Sequence, residues 1–485
     1  MSIERRAISA LKWATAAKLA VQIVSWAGTL LVVRLLSPED YGLMAKVAVV
    51  CAIGSAVAEL GLEAAIVRWG DLAREDLRKI YGVSLLFSAG ITLLVAAASP
   101  LFAFLFREPK LTWPVAVASL QIMISAFAIV PGGLWTRELN FKPLATIEVL
   151  VGVINIGVTL LLALLGLGVW ALVIGTLAGA ATRSTAMLSF GNRVWPHFSA
   201  RGIGEQLKFG LTLVGNRVSY IALVQSDVMI GSAFLSTTEI GQYAVALQLA
   251  TLPMAKVMGT INQILLPAVA RQQDDLPRVR LNLLKSIGLV STMAFPALWG
   301  ISAVAGELVH VLFGHKWEAI VPALAILPLI VPVRMACTLL YTTSLALGNR
   351  TLDLRNTIIN FVLLPAGFYV GAHWGVIGLC VAWLVTVPVA YSFTVPAVVR
   401  FIGLRARDLS SECLAPAAAA GIMYAGVAAL RGVASALPDI LALAALSAGG
   451  AILYFVALAL ISRRHLLAVG QFIRSMRGGY TLPAS

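Results

Sequence analysis

Stretches of about 20 mostly apolar residues, the length a helix needs to cross a bilayer, follow one another along almost the whole of this 485-residue chain. They run from Ala14 to Leu36 and Leu43 to Val67 at one end to Leu414 to Leu430 and Ile440 to Ile461 at the other. About fourteen such stretches fit. Inside hydrocarbon a backbone amide has no water to bond, so a span of this kind must satisfy its own peptide groups as a helix. Sixty per cent of the residues are hydrophobic and only 12% charged, whereas a soluble domain carries about 25% charged residues. The expected fold is an all-α polytopic membrane protein.

A net charge of +14 suits nucleic acid in principle, but the basic residues alternate with the spans. Arg5, Arg6 and Lys12, then Arg68, Arg74, Arg78 and Lys79, then Arg271, Arg278 and Arg280 fall on one side, and the series continues to Arg463, Arg464, Arg474 and Arg477. The opposite loops hold Arg107, Lys110, Lys316 and Arg431. Such asymmetry marks the cytoplasmic face. It predicts an even number of spans with both termini in the cytoplasm, contact with anionic membrane lipid and no nucleic-acid partner. Lys12 and Lys18 interrupt the first apolar run, which reads as a retained helix and not a signal peptide. Cys51, Cys337, Cys380 and Cys413 lack C-x-x-C spacing and the five histidines are scattered, so no metal or disulfide framework is indicated. There is no G-x-x-x-x-G-K-[ST] sequence for a nucleotide, and no cofactor is expected.

The run Leu36-Ser37-Pro38-Glu39-Asp40-Tyr41-Gly42 is echoed 199 residues later by Leu235-Ser236-Thr237-Thr238-Glu239-Ile240-Gly241. The same shift pairs Glu75-Asp76-Leu77 with Asp274-Asp275-Leu276, and a shift of 207 pairs Gly168-Val169-Trp170 with Gly375-Val376-Ile377. The order of these pairs predicts a duplication. The expected organisation is a six-helix bundle over 1–200, a second over 201–402 related to it by a pseudo-twofold along the membrane normal, and two further helices with a basic tail over 403–485. Ser37-Pro38-Glu39-Asp40 reads as a tight extracytoplasmic turn, with Gly42 relieving the backbone.

The segments Arg34-Leu35-Leu36-Ser37-Pro38-Glu39-Asp40-Tyr41-Gly42, Gly61-Leu62-Glu63-Ala64-Ala65-Ile66-Val67-Arg68 and Arg137-Glu138-Leu139-Asn140-Phe141 resemble the polysaccharide transporter family of the multidrug/oligosaccharidyl-lipid/polysaccharide flippase superfamily. The resemblance implies a Wzx-like flippase of the bacterial inner membrane. Its substrate would be an undecaprenyl-pyrophosphate-linked oligosaccharide moved from the cytoplasmic to the periplasmic leaflet for lipopolysaccharide or exopolysaccharide synthesis. A polysaccharide polymerase and export machinery would be partners.

Charges within apolar spans cost about 2.5–3.5 kcal/mol and therefore turn toward protein or water. Lys18, Lys46, Arg217, Lys256 and Arg334 are such charges, and Lys18 and Arg217 coincide under the shift of 199. An anionic pyrophosphate suits cations, since Arg offers a bidentate fork and Lys a compact charge. Lys18, Arg217 and Lys256 are expected to receive the headgroup from the cytoplasmic side, Lys46 to hold it in an outward-open state, and Arg334 to contribute. Snorkelling to the interface is the competing reading. Asp227 and Glu63 are candidates for coupling to a proton or sodium gradient. Glu59 and Glu63 share a helix face near Arg68, where a surface ion pair is expected. The membrane potential alone also favours export of negative charge, by about 2.3 kcal/mol per charge per 100 mV.

Two other classes compete. An integral-membrane glycosyltransferase, polymerase or ligase would present paired carboxylates on a substantial outer loop, whereas Glu39-Asp40 is the only such pair in a short one. An ion-driven drug exporter of the same superfamily would favour a less basic cavity.

Overall fold

The computed structural model describes residues 28–69, 72–138, 141–190, 194–271, 273, 275–434 and 436–477. Among the described residues the regular structure is entirely helical. Among these residues nine helices are long and apolar enough to cross a membrane, and ten if the pair Pro109–Ala126 and Ile129–Arg137, bent by 43°, forms one span. The chain is a multi-pass membrane protein. Its outward-facing apolar side chains say the same: Leu93, Phe104, Trp113 and Leu460 are each more than two-thirds exposed, which water would penalise and lipid would not.

The chain divides into two compact units, Met1–Gly241 and Gln242–Ser485. The first holds α1 (residues 28–35), α2 (Pro38–Ala58), α3 (Leu62–Arg68), α4 (Arg74–Ala97), α5 (Ser99–Leu105), α6 (Thr112–Ala118), α7 (Leu120–Ala126), α8 (Ile129–Arg137), α9 (Phe141–Leu164), α10 (Val169–Phe190), α11 (Gly204–Val224) and α12 (Ser226–Phe234). The helix pair α11 and α12, which the repeat assigns to the second bundle, therefore groups with the first unit. One apolar cluster joins Val47, Leu111, Val115 and Val173. Another joins Leu62, Ile66, Ile80 and Leu134.

The run Ser37 to Asp40 does not form a free turn. Pro38 is the first residue of α2, and Ser37 caps it. The Ser37 hydroxyl accepts from the Asp40 amide at 3.2 Å while Asp40 Oδ2 accepts from the Ser37 amide at 2.9 Å. Pro suits the first helical position because the amide it lacks has no helical partner there, and the reciprocal bonds satisfy two more end groups. The echo folds alike. Ser236 Oγ accepts from the Glu239 amide at 3.3 Å and Glu239 Oε2 accepts from the Ser236 amide at 2.9 Å, opening α13 (Thr237–Arg271).

These two helix starts meet. A Cβ added to Gly42 would lie 1.7 Å from the Thr237 carbonyl oxygen, and one added to Gly241 would lie 1.8 Å from the Pro38 carbonyl oxygen. Because Pro38 and Thr237 are themselves 199 apart, the contact is reciprocal under the repeat shift, as an isologous contact between equivalent surfaces must be. Gly42 thus serves close backbone approach, not relief of a turn.

The second unit contains α14 (Leu276–Ala303), α15 (Ala305–Leu312), α16 (Val321–Ala346), α17 (Arg350–Ala372), α18 (Gly375–Ile402), α19 (Ala406–Ala434), α20 (Asp439–Ile461) and α21 (Arg463–Arg477). Helices α14, α19 and α20 share a core of Phe295, Met423, Leu446 and Tyr454, and the Tyr454 hydroxyl donates to the Thr292 carbonyl at 2.8 Å. The basic segment Arg463–Arg477 is a helix, as its alternation of Arg with apolar residues implies. It is tied to α19 through buried His465, whose Nε2 lies 3.1 Å from Glu412 Oε2, and through Arg464, 3.0 Å from Glu412 Oε1.

Candidate functional site

The site begins with a broken helix. Leu60 and Gly61 adopt left-handed φ values of 48° and 58° and separate α2 from α3. A left-handed leucine costs about 1–2 kcal/mol, so surrounding contacts must hold it. The backbone of α11 does so: a Cβ on Gly210 would lie 1.9 Å from the Leu60 carbonyl oxygen, and one on Gly61 would lie 2.9 Å from the Gly210 carbonyl oxygen. Beside this contact Phe209 meets Trp69 edge-on at 5.2 Å, and the Arg68 guanidinium lies 4.5 Å from the Phe209 ring. Seven residues beyond Gly210, two helical turns and so the same face, is Arg217.

Arg217 Nη2 stands 3.1 Å from Glu59 Oε2. Glu59 therefore pairs with Arg217, while Arg68 occupies the aromatic pair. Glu59, Glu63, Arg68 and Arg217 line a cavity of about 460 Å³ that also contains Thr136. A second cavity of about 600 Å³ shares Glu59, Glu63, Ile129 and Thr136 and extends to Gln121, Asn155 and Thr176. At its far wall Arg183 Nη2 pairs with Glu148 Oε2 at 2.7 Å. The unit thus carries a polar chamber between apolar helices, lined by Arg68 and Arg217 in the first cavity, Arg183 in the second, and the carboxylates of Glu59, Glu63 and Glu148. A solvated ion pair of this exposure contributes about 0–1 kcal/mol, so a more highly charged anion can displace Glu59 from Arg217.

The remaining expected residues lie elsewhere. Lys46, 13 residues before Glu59 and so about 20 Å away along the helix, is 1% exposed. Its Nζ donates to Thr237 Oγ1 at 2.8 Å and reaches the Phe106 carbonyl at 3.5 Å. Thr237 in turn donates to the Glu108 carboxylate. The ammonium thus sits in a polar cluster with Thr237, at the start of α13, and half-buried Glu108, not in the chamber. Asp227 is buried at the start of α12, where its Oδ1 accepts from the Val228 amide at 2.7 Å; it lines neither cavity. Arg334 in the second unit lies 4.4 Å from the Trp383 ring, a cation–π contact, and the Trp383 indole donates to the Tyr243 hydroxyl at 2.7 Å. Lys256 lies on α13 with its side chain outside the described residues, and Lys18 lies outside them altogether.

An apolar groove of about 420 Å³ opens between α14, α19 and α20, lined by Pro296, Ile301, Met423, Leu443, Leu446 and Phe455. Sequence reasoning did not mark it, because every span is apolar and only packing shows which faces are left apart. The Glu148–Arg183 pair and the role of Gly210 were missed for the same reason. A glycine seven residues before an intramembrane arginine was the available signal.

The family model described as polysaccharide biosynthesis protein matches residues 31–322. The chain belongs to this family. Among curated members, it is 24% identical over 393 residues to the lipopolysaccharide biosynthesis protein WzxC of Escherichia coli (strain K12), covering 79% of each chain. It is 25% identical over 370 residues to the succinoglycan biosynthesis transport protein ExoT of Rhizobium meliloti (strain 1021), covering 75% of this chain and 74% of ExoT. The fold is similar to that of the lipid II flippase MurJ in an inward closed conformation, with a TM-score of 0.77 at 13% identity over 93% of this chain and 99% of that one. A multidrug resistance MATE family transporter in an inward-facing conformation follows at a TM-score of 0.61 and 16% identity, over 77% and 94%. The fold of this family member is therefore similar to that of the lipid II flippase MurJ and of a MATE family transporter.

Proposed function

We propose that this polysaccharide biosynthesis protein is a flippase for an undecaprenyl-pyrophosphate-linked oligosaccharide. It would carry its cargo from the cytoplasmic to the periplasmic leaflet of a bacterial inner membrane, with no covalent bond made or broken. The observation that carries this reading is Arg217, a guanidinium held by the Leu60–Gly61 break and Gly210 in a polar chamber and paired only with the solvated carboxylate of Glu59 among the described residues. The relatives WzxC and ExoT support the substrate class through their names.

In this mechanism the pyrophosphate displaces Glu59 and takes both arms of the guanidinium, a geometry Lys cannot reproduce. Lys18 and Lys256 add charge from the cytoplasmic side, and Lys46 and Arg334 serve later stages of alternating access. A proton or sodium ion arriving at Glu63 and Glu59 from the outer gradient removes the competing carboxylate charge and releases Arg217 for the next cargo; Asp227 is the second candidate for this coupling. The apolar groove of the second unit, open between helices, suits an isoprenoid chain.

The topology that fits is fourteen spans with both termini cytoplasmic. It comprises two six-helix bundles related by duplication and a final helix pair, α19 and α20. The reciprocal contact of Gly42 and Gly241 supports the duplication. Polymerase and export machinery would take the product. The test is reconstitution of the full chain in vesicles carrying a lipid-linked oligosaccharide on one leaflet, with its appearance on the other followed by an impermeant sugar-cleaving or sugar-binding reagent. Movement abolished in Arg217→Gln and partly kept in Arg217→Lys is expected. Movement unchanged in both variants would remove Arg217 from the mechanism.

A further inference from the structure

We propose that the end of α15 and the loop joining it to α16 form a divalent transition-metal site from His310, His315 and Glu318. The donor atoms of these three side chains all lie within 4.8 Å of one another. His310 Nε2 stands 4.0 Å from Glu318 Oε1, and the two imidazole rings are 4.8 Å apart between centroids at a tilt of 46°. His310 Nε2 is buried and makes no hydrogen bond. A buried polar atom left in this way is uncommon, and an imidazole nitrogen is the commonest protein ligand for a metal.

The loop is built to hold the three groups in place. Gly314 turns the chain at φ +81°, a left-handed value that suits glycine. On either side Phe313 and Trp317 are buried, at 1% and 0% exposure, with their rings 6.4 Å apart. These two aromatic anchors fix the short helical turn His315–Ile320 against the end of α15. They leave His315 and Glu318 on the outer side, level with His310. Phe313 and Trp317 thus do for the loop what a packed supporting shell does for a preorganised metal site.

Two imidazoles and one carboxylate suit zinc and its late first-row neighbours, not magnesium or calcium, which take oxygen donors. Zinc bonds of about 2.0–2.2 Å to nitrogen and oxygen set tetrahedral donors about 3.3 Å apart. Closing from the observed spacing therefore takes side-chain rotation of about 1.5 Å at most. Three protein ligands leave a fourth position, and since His315 and Glu318 are exposed that position faces solvent. The bound ion would clamp α15 to the turn that leads into α16.

The test uses the full chain in lipid nanodiscs, stripped with chelator and titrated with zinc by calorimetry and with cobalt by visible absorption. One equivalent bound with micromolar or tighter affinity is expected, with a cobalt spectrum of tetrahedral intensity and no competition from excess magnesium. His315→Ala removes an exposed side chain, so folding is kept, and should weaken binding by about tenfold or more. His310→Gln should do the same and Glu318→Gln should do so to a smaller degree, while His373→Ala, a histidine elsewhere in the chain, should change nothing. Binding equal in the wild type and in His315→Ala, binding lost in His373→Ala, or no micromolar binding at all would each overturn the site.

Discussion

The guanidinium of Arg217 meets the carboxylate of Glu59 at 3.1 Å only because Gly210, two turns earlier, lets the backbone of α11 touch the carbonyl of Leu60. Replacing Gly210 with Ala sets a Cβ 1.9 Å from that backbone oxygen, so α11 must move. Overpacking of this kind costs about 1–3 kcal/mol. Gly210→Ala should lower the thermal unfolding temperature in detergent and reduce transport as Arg217→Gln does, although the arginine is untouched.

Glu59→Gln separates stability from binding. The Arg217–Glu59 pair is solvated on both sides, at 60% and 39% side-chain exposure, so its loss should change stability by no more than about 1 kcal/mol. The freed guanidinium should bind inorganic pyrophosphate more tightly, by up to about fivefold if the released competition amounts to about 1 kcal/mol. Calorimetric titration of pyrophosphate into wild type and variant reads this directly. Equal affinities would mean that Glu59 does not compete for the arginine.

Thr237 is the hinge of the buried cluster around Lys46, since one hydroxyl accepts from the ammonium and donates to Glu108. Thr237→Val strips both groups of a partner at once. A loss of about 1–3 kcal/mol is expected, chiefly at buried Lys46, since Glu108 is only half-buried. Lys46→Met removes the cation itself, leaves the Thr237–Glu108 bond in place and should be better tolerated. Chemical denaturation of the two variants in detergent should rank Thr237→Val as the more damaging, and the reverse order would contradict this account of the cluster.

Glycines divide sharply by what surrounds them. Gly42→Ala and Gly241→Ala each drive a methyl group into a backbone carbonyl, while Gly90 and Gly152 have nothing within 4 Å of the added carbon. The first two should lower the unfolding temperature by several degrees. The second two should leave it unchanged or raise it slightly, because Ala favours a helix over Gly by about 1 kcal/mol. Differential scanning fluorimetry of the four variants is sufficient.

The helical fold was legible because membrane insertion demands about 20 apolar residues in a row, a signal that long runs carry without ambiguity. Arg217 was legible for the converse reason, that a charge in such a run is costly. Its partner was not, because Glu59 reaches Arg217 through two consecutive left-handed residues at Leu60 and Gly61, and a helical wheel has no place for that break. Ser37-Pro38-Glu39-Asp40 was misread because Ser and Pro serve turns and helix starts alike. The apolar run that follows Asp40 was the signal that favoured a helix start. The first compact unit ends at Gly241, whereas the repeat divides the chain at 200, because a repeat is read from sequence shifts and a compact unit from packing.

The reciprocal seat of Gly42 and Gly241 bears on how such a chain can change. In an ancestor made of two identical half-length subunits, as the proposed duplication implies, one codon would have specified both glycines, and any mutation would have struck the joint twice. Fusion into a single gene would lift that coupling and let the flanking residues differ, as Pro38 and Thr237 and likewise Asp40 and Glu239 do. The glycines themselves have gained no such freedom. Gly42 faces the Thr237 carbonyl oxygen and Gly241 that of Pro38, at under 2 Å from any added carbon, so either one alone can break the joint. Laboratory evolution of this protein should therefore find both positions closed even where every neighbour is open.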